Sequence, residues 1–266
     1  MLHLAAARDK LAFVRGLKQI PEGGAVPELP ARDVRIVNAK EMPERAGLST
    51  NAGQRPPLVA SPPDRRRMLH DLANIELQAM ELCYRSLIEY PEADKAFRDE
   101  LMGLLESESQ HFEMCLNSLQ ELGGEWGEYP VHIGLWAAVR AEDSILDRIL
   151  IVHRYLEGNG LDAGETLIRR MSAVPRSSAH ATLERIAREE LDHVAFGSRW
   201  YQRFCVERKL DPTHDFKTRF AKLLPQMPRR IEHIQRDLRR QAGFSEDEID
   251  FLVEQRDSWV RFKPEK

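Results

Sequence analysis

Between Asp64 and Lys209 the apolar residues recur every three or four positions and nowhere alternate. Only a helix turns that spacing into one apolar face. The run is cut where a backbone tends to stop: at Pro91, Gly123-Gly124, Gly158-Asn159-Gly160 and Pro175. These cuts predict a first helix capped by Asp64 and reaching about Tyr90, and a second from Ala93 to Leu122. A third should run from His132 to Glu157, a short one from Asp162 to Ala173, and a fourth long one from Ser178 to Lys209. Long amphipathic helices on short connections bury their stripes against one another. The expected fold is therefore all-α and built on a four-helix bundle.

The flanks differ. Residues 1–20 carry Leu4, Leu11, Val14 and Leu17 at near-helical spacing, which predicts a short amphipathic helix. Residues 21–63 are rich in proline and glycine and cannot build a core, so an extended arm is expected there. The tail from Asp211 reads as two or three shorter helices, with Ser245 and Glu248 forming a capping box for the last. The expected organisation is thus 1–63 for helix and arm, 64–210 for the bundle and 211–266 for a helical extension.

Composition excludes several classes. With 42% apolar and 31% charged residues the chain is globular rather than disordered, and a net charge of -4 gives no nucleic-acid footprint. No stretch of about 18 apolar residues is present, so no membrane span is expected. Arg8, Asp9, Lys10, Arg15 and Lys18 break any signal-peptide core. Cys83, Cys115 and Cys205 are odd in number and far apart, which argues against disulfides and zinc ribbons and for a reduced, cytoplasmic protein.

Chemistry enters with two Glu-x-x-His pairs inside long helices, Glu108 with His111 and Glu190 with His193. Three positions place both side chains on one helix face, where a carboxylate and an imidazole can share a metal ion. Nine histidines and 27 glutamates in 266 residues make about one such pair by chance, so the motif alone is mild evidence. The surroundings add more. Glu76 precedes Glu108 by 32 residues and Glu157 precedes Glu190 by 33, so one scheme occurs twice: a lone Glu, a turn, then Glu-x-x-His. Apolar residues precede each on the same face: Leu69 and Leu72, Leu101 and Leu104, Leu150, and Leu183 with Ile186. Carboxylates on a core face are costly unless compensated, and two divalent ions would compensate four. The predicted ligands are Glu76, Glu108, His111, Glu157, Glu190 and His193.

The segment from His70 to Leu82, together with Glu108-Ser-Gln-His-Phe112, Leu156-Glu-Gly-Asn-Gly-Leu-Asp162 and His193-Val-Ala-Phe-Gly-Ser-Arg-Trp200, closely resembles a ferritin-like family, number 455 among domains of unknown function. Arg55-Pro-Pro-Leu-Val59 fits it too, and the resemblance spans roughly residues 50 to 205. It implies the ferritin-like fold and metal-ligand roles for the same six residues. Ser107, Ser109 and Gly158-Asn159 depart from the family's usual residues without touching a proposed ligand.

Around the site, Cys83 and Cys115 follow Glu76 and Glu108 by seven residues and should line the pocket or simply fill space. Gly197 holds the same place after Glu190 and leaves room. His153, one turn before Glu157, is expected as a partner of that carboxylate or an extra ligand. Tyr84, Tyr155, Asp147 and Asp192 are further candidates around the metals, and Glu142 is a rival carboxylate. The Arg65-Arg66-Arg67 and Arg229–Arg240 clusters are expected as solvated faces, with an RNA surface as the alternative.

The leading expectation is a non-haem dinuclear protein holding two iron ions, with manganese as the alternative, that uses O2 to oxidise or hydroxylate a small organic substrate with an external electron donor. A tRNA-modifying hydroxylase, a ferroxidase and a metal-free scaffold are the alternatives. A homodimer is expected because the arm needs a surface.

Overall fold

Within a computed structural model that describes residues 7–17, 62–129, 131–173, 175–230 and 232–261, every regular element is helical. The proline-rich arm expected over 21–63 falls almost wholly outside the described residues. No described helix is long and apolar enough to cross a membrane. The chain divides into two compact units, one of residues 1–137 with 176–182 and one of 138–175 with 183–266.

In the first unit, α1 (Ala7–Leu17), α2 (Pro62–Glu89) and α3 (Lys95–Glu121) are the main elements, followed by the short α4 (Gly134–Ala137). Helix α2 begins two residues before Asp64, because prolines fit a first turn that has no use for their missing N–H. Pro91 then blocks extension, and the Asp94 carboxylate caps α3 by accepting from the N–H groups of Ala96 and Phe97 at 2.7 and 3.3 Å. At the far end Gly123 adopts φ +73°, the left-handed conformation that closes a helix, and its N–H donates to the Gln120 carbonyl. Helices α2 and α3 are antiparallel, since Arg66 near the start of α2 donates to the carbonyl of Gly123 past the end of α3.

Both helices carry an apolar seam interrupted by acid. Leu69, Ala73, Met80, Cys83 and Leu87 flank Glu76 on α2, and Phe97, Leu101, Leu105, Phe112, Cys115 and Leu119 flank Glu108 on α3, all buried. Helix α1 adds Leu11 and Val14 to this core. Its Lys10, fully buried, pairs with Glu81 of α2.

The second unit is organised around one long helix that departs from the expected boundaries. It starts at Ile145, not His132, because Ser144 and Asp147 form a capping box there. It passes from α5 (Ile145–Ile149) through a π-helical segment (Leu150–Leu156) into α6 (Glu157–Met171) without a break. The stop expected at Gly158-Asn159-Gly160 does not occur. Gly158 meets a different need: a Cβ there would lie 2.1 Å from Nη1 of Arg239. Helix α7 (Ser178–Glu207) begins in the first unit, where Thr182 bonds Ser118 at 2.8 Å, and continues into the second. Then come α8 (Pro212–Leu223), α9 (Arg236–Gln241) and α10 (Glu246–Arg261). The expected capping box at Ser245 and Glu248 is present.

Two buried arginines tie these elements together. Arg154, fully buried, donates to both oxygens of Glu248 at 3.0 and 2.9 Å, with the rings of Tyr201, Phe216 and Phe244 packed against its guanidinium. Arg239 donates to Asp162 and to the carbonyl of Arg154, its Nη2 lying 2.5 Å from Asp162 Oδ2.

Candidate metal centre

In the first unit, Glu76, Glu108 and His111 meet across the α2–α3 pair. Their exposures are 3, 0 and 0%. His111 Nδ1 lies 3.4 Å from Glu76 Oε2 and 3.7 Å from Glu108 Oε2. Those gaps are wider than a good hydrogen bond. Two ligand atoms each about 2.1 Å from one ion stand about 3.0 Å apart in octahedral geometry and about 3.4 Å in tetrahedral geometry. The 3.4 Å gap is of the size that donors to one ion leave, the 3.7 Å gap is somewhat wider, and Glu108 and His111 are among the buried groups that could hold a metal ion.

The electrostatics of this half agree. Burial alone would lower the pKa of His111, but the flanking Glu108 and Glu76 carboxylates outweigh it and push it up to about 11. Without a metal, a proton on His111 balances part of the two carboxylates. Burial and the Glu76 charge both raise the Cys115 thiol well above its ordinary value, so Cys115 is a neutral thiol facing this half.

In the second unit, the other pair sits on α7. Glu190 and His193 are 8 and 3% exposed, and His193 Nδ1 is 3.6 Å from Glu190 Oε1. The seam of α7 around them is apolar, with Leu183, Ile186, Val194 and Tyr201 buried. Glu157 opens α6, and the Nδ1 of His153 on the π segment lies 2.9 and 3.0 Å from its two oxygens. Glu108, His111, Glu190 and His193 are all buried and are residues that could hold a metal ion.

The sequence matches a family model described as "Protein of unknown function (DUF455)" over residues 4–250. The chain belongs to that family. It is also similar to an "Uncharacterized protein" from Haemophilus influenzae, 29% identical over 238 residues that cover 86% of this chain and 76% of the relative. No solved structure matches significantly.

In this DUF455 member, the residues expected around the predicted ligands fall into two groups. Cys83, Cys115, Tyr84 and His153 are all buried. Burial pushes Tyr84 up to about 12, and the ring of Phe13 packs edge-on against it. Glu142 and Asp192 are exposed. Glu142 lies in the turn before Ser144 rather than on a helix, so it faces no interior. Asp192 is one residue from His193, about 100° around α7, and points to the surface. Asp147 caps α5 and receives Arg219 at 2.7 Å, and Tyr155 donates to the Pro228 carbonyl at 2.6 Å.

The arginine clusters are engaged within their units. Arg66 bonds Gly123 and lies 3.6 Å from Glu128, and Arg67 bonds Asp71. Arg236 and Arg240 both pair with Glu246, while Arg239 is buried. Sequence reasoning read the latter three as one solvated face and missed Arg239, whose signal was its partner: Gly158, a residue with no Cβ where the guanidinium enters.

Proposed function

We propose that this protein is a ferritin-like dinuclear carboxylate oxidase or oxygenase with a four-helix bundle. Glu76, Glu108 and His111 form one half of its ligand set, and Glu157, Glu190 and His193 the other. The observation that carries the reading is the meeting of Glu76, Glu108 and His111 in a buried place, with the imidazole 3.4 and 3.7 Å from the two carboxylates. The same scheme in the sequence, a lone Glu157 standing 33 residues before the Glu190–His193 pair, supports a second ion.

Four carboxylates balance the charge of two divalent ions, and the two imidazoles give each ion one neutral donor. Bound iron, or manganese in its place, would supply the redox chemistry with O2, directed at a small organic substrate. The chain's own residues do the rest. Leu101 and Leu105, fully buried on the same stripe of α3 as Glu108, would help keep bulk water from it. Cys115 offers a small neutral wall beside Glu76 rather than a thiolate ligand. His111, whose proton is held by the flanking carboxylates, must release it before its nitrogen can bind a metal, so metal affinity rises with pH.

Dioxygen uptake tests the function. Protein loaded with ferrous iron under argon should consume O2 on mixing, and the Glu108→Ala variant should not. Uptake no faster than that of free iron in the same buffer would rule the reading out.

A further inference from the structure

We propose that His153 is a positioning residue for Glu157, an inference that rests on the dinuclear reading above. Its imidazole approaches both oxygens of the Glu157 carboxylate, at 2.9 and 3.0 Å from Nδ1. A nitrogen that faces a carboxylate at those distances carries the hydrogen, so His153 donates and Glu157 accepts. One N–H shared by both oxygens fixes the carboxylate plane and leaves the remaining lone pairs of Glu157 for a metal. The arrangement reverses the usual carboxylate-to-histidine support of a metal-bound imidazole, with the histidine supporting the carboxylate.

Two separate features place this imidazole. The first is the π-helical segment itself. The N–H of Glu157 donates to the carbonyl of Val152, five residues back, so the helix is widened over the turn that carries His153. The second is Gly197 on α7. A Cβ at Gly197 would lie 2.5 Å from the Cβ of His153 and 3.3 Å from its carbonyl carbon. The widened turn and α7 approach this closely because position 197 has no side chain. The neighbouring Phe196 then meets the His153 ring edge-on at 5.1 Å between centroids and 81°. A histidine that only filled core space would need neither device, and a π turn in mid-helix is rare.

The test compares wild type with His153→Leu, His153→Asn and Gly197→Ala. Asparagine retains an N–H near the position of Nδ1, and leucine does not. The readouts are metal bound per chain, affinity for iron or manganese by chelator competition, the visible spectrum of the cobalt-substituted protein, and circular dichroism as a check on folding. Wild type should hold two ions. His153→Leu should lose about 10- to 100-fold in affinity for one of them and change the cobalt spectrum, and His153→Asn should recover most of the affinity. Gly197→Ala should reproduce the leucine variant through a residue that is not near Glu157 in sequence, and it serves as the test if the leucine variant does not fold. Wild-type affinity and an unchanged cobalt spectrum in either His153→Leu or Gly197→Ala would overturn the role of His153 alone. A wild type that binds no metal would overturn this role and the dinuclear reading together.

Discussion

Replacing Glu248 by alanine removes the carboxylate that faces Arg154. Both side chains are buried, at 0 and 3% exposure, and the two are joined by parallel bonds of 3.0 and 2.9 Å. Removing one partner of such a pair leaves a charge that cannot reach water, at a cost of about 3–5 kcal/mol. Glu248 also accepts the Ser245 N–H in the capping box of α10, and that bond, worth about 0.5–1.5 kcal/mol, is lost with it. The rings of Tyr201, Phe216 and Phe244, 4.2 to 5.0 Å from the guanidinium carbon, remain in place and retain about 0.5–2 kcal/mol of attraction for the cation. The net expectation is a loss of about 3–5 kcal/mol in urea unfolding followed by circular dichroism at pH 7. That is a large part of the roughly 5–15 kcal/mol by which domains are stable. Arg154→Met combined with Glu248→Leu should recover most of the loss, because apolar residues of similar volume need no partner. A loss below about 1 kcal/mol in Glu248→Ala, or a double variant as unstable as the single, would refute the reasoning.

Other expectations follow from the same structure. Burial, helped by Arg67, pulls His70 down to about 4, and its neutral Nε2 accepts the N–H of Gly127 at 3.0 Å. The unfolded chain binds this proton near pH 6.5 and the folded one only near pH 4, so stability is intact above 6.5 and falls as pH drops through that window, by about 2–3 kcal/mol at pH 4.5. In urea melts His70→Asn should show a shallower loss between pH 7 and 4.5 than wild type. An equal slope would remove His70 as the cause. Gly158→Ala should destabilise by about 1–3 kcal/mol, since the added methyl meets Arg239. The same change at Gly160, which has open space around it, should be neutral or slightly stabilising, and thermal melts of the two variants should separate clearly. Metal titrations of wild type at pH 6 and pH 8 should show tighter binding at pH 8, as His111 must give up a proton. Binding that does not vary with pH would contradict that exchange.

Local spacing carried much of this architecture into view. Helices α2, α3 and α7 were legible because their apolar residues keep the helical period and their ends carry Pro91, Asp94, Gly123 and Pro175. The capping box at Ser245 was legible for the same reason, since its chemistry lies within four residues. The third long helix was not. Gly158-Asn159-Gly160 reads as a stop by composition, yet the helix runs through it, and the use of Gly158 lies with Arg239, 81 residues on, which needs the room there and bonds Asp162. The π segment has no residue-type signature at all. Within the site, the convergence of Glu108 with His111 and the nearness of His153 to Glu157 follow from three- and four-residue spacing on one helix. The failures at Glu142 and Asp192 have one origin: spacing fixes a face only inside a helix and relative to that helix's own stripe. Glu142 precedes its helix, and Asp192 lies off the buried stripe of α7. The burial of Arg154 and Arg239 was hidden because arginine is nearly always solvated unless paired, and their partners are distant in sequence.

The central claim is that buried carboxylates and imidazoles in this chain hold two metal ions. Metal content by plasma mass spectrometry, on wild type and on Glu108→Ala combined with His193→Ala after reconstitution with iron or manganese, tests it most directly. The account predicts two ions per chain in wild type and none or a small fraction in the variant, with the helical content of both unchanged. Wild type with no bound metal, or a variant that loads as fully as wild type, would contradict it.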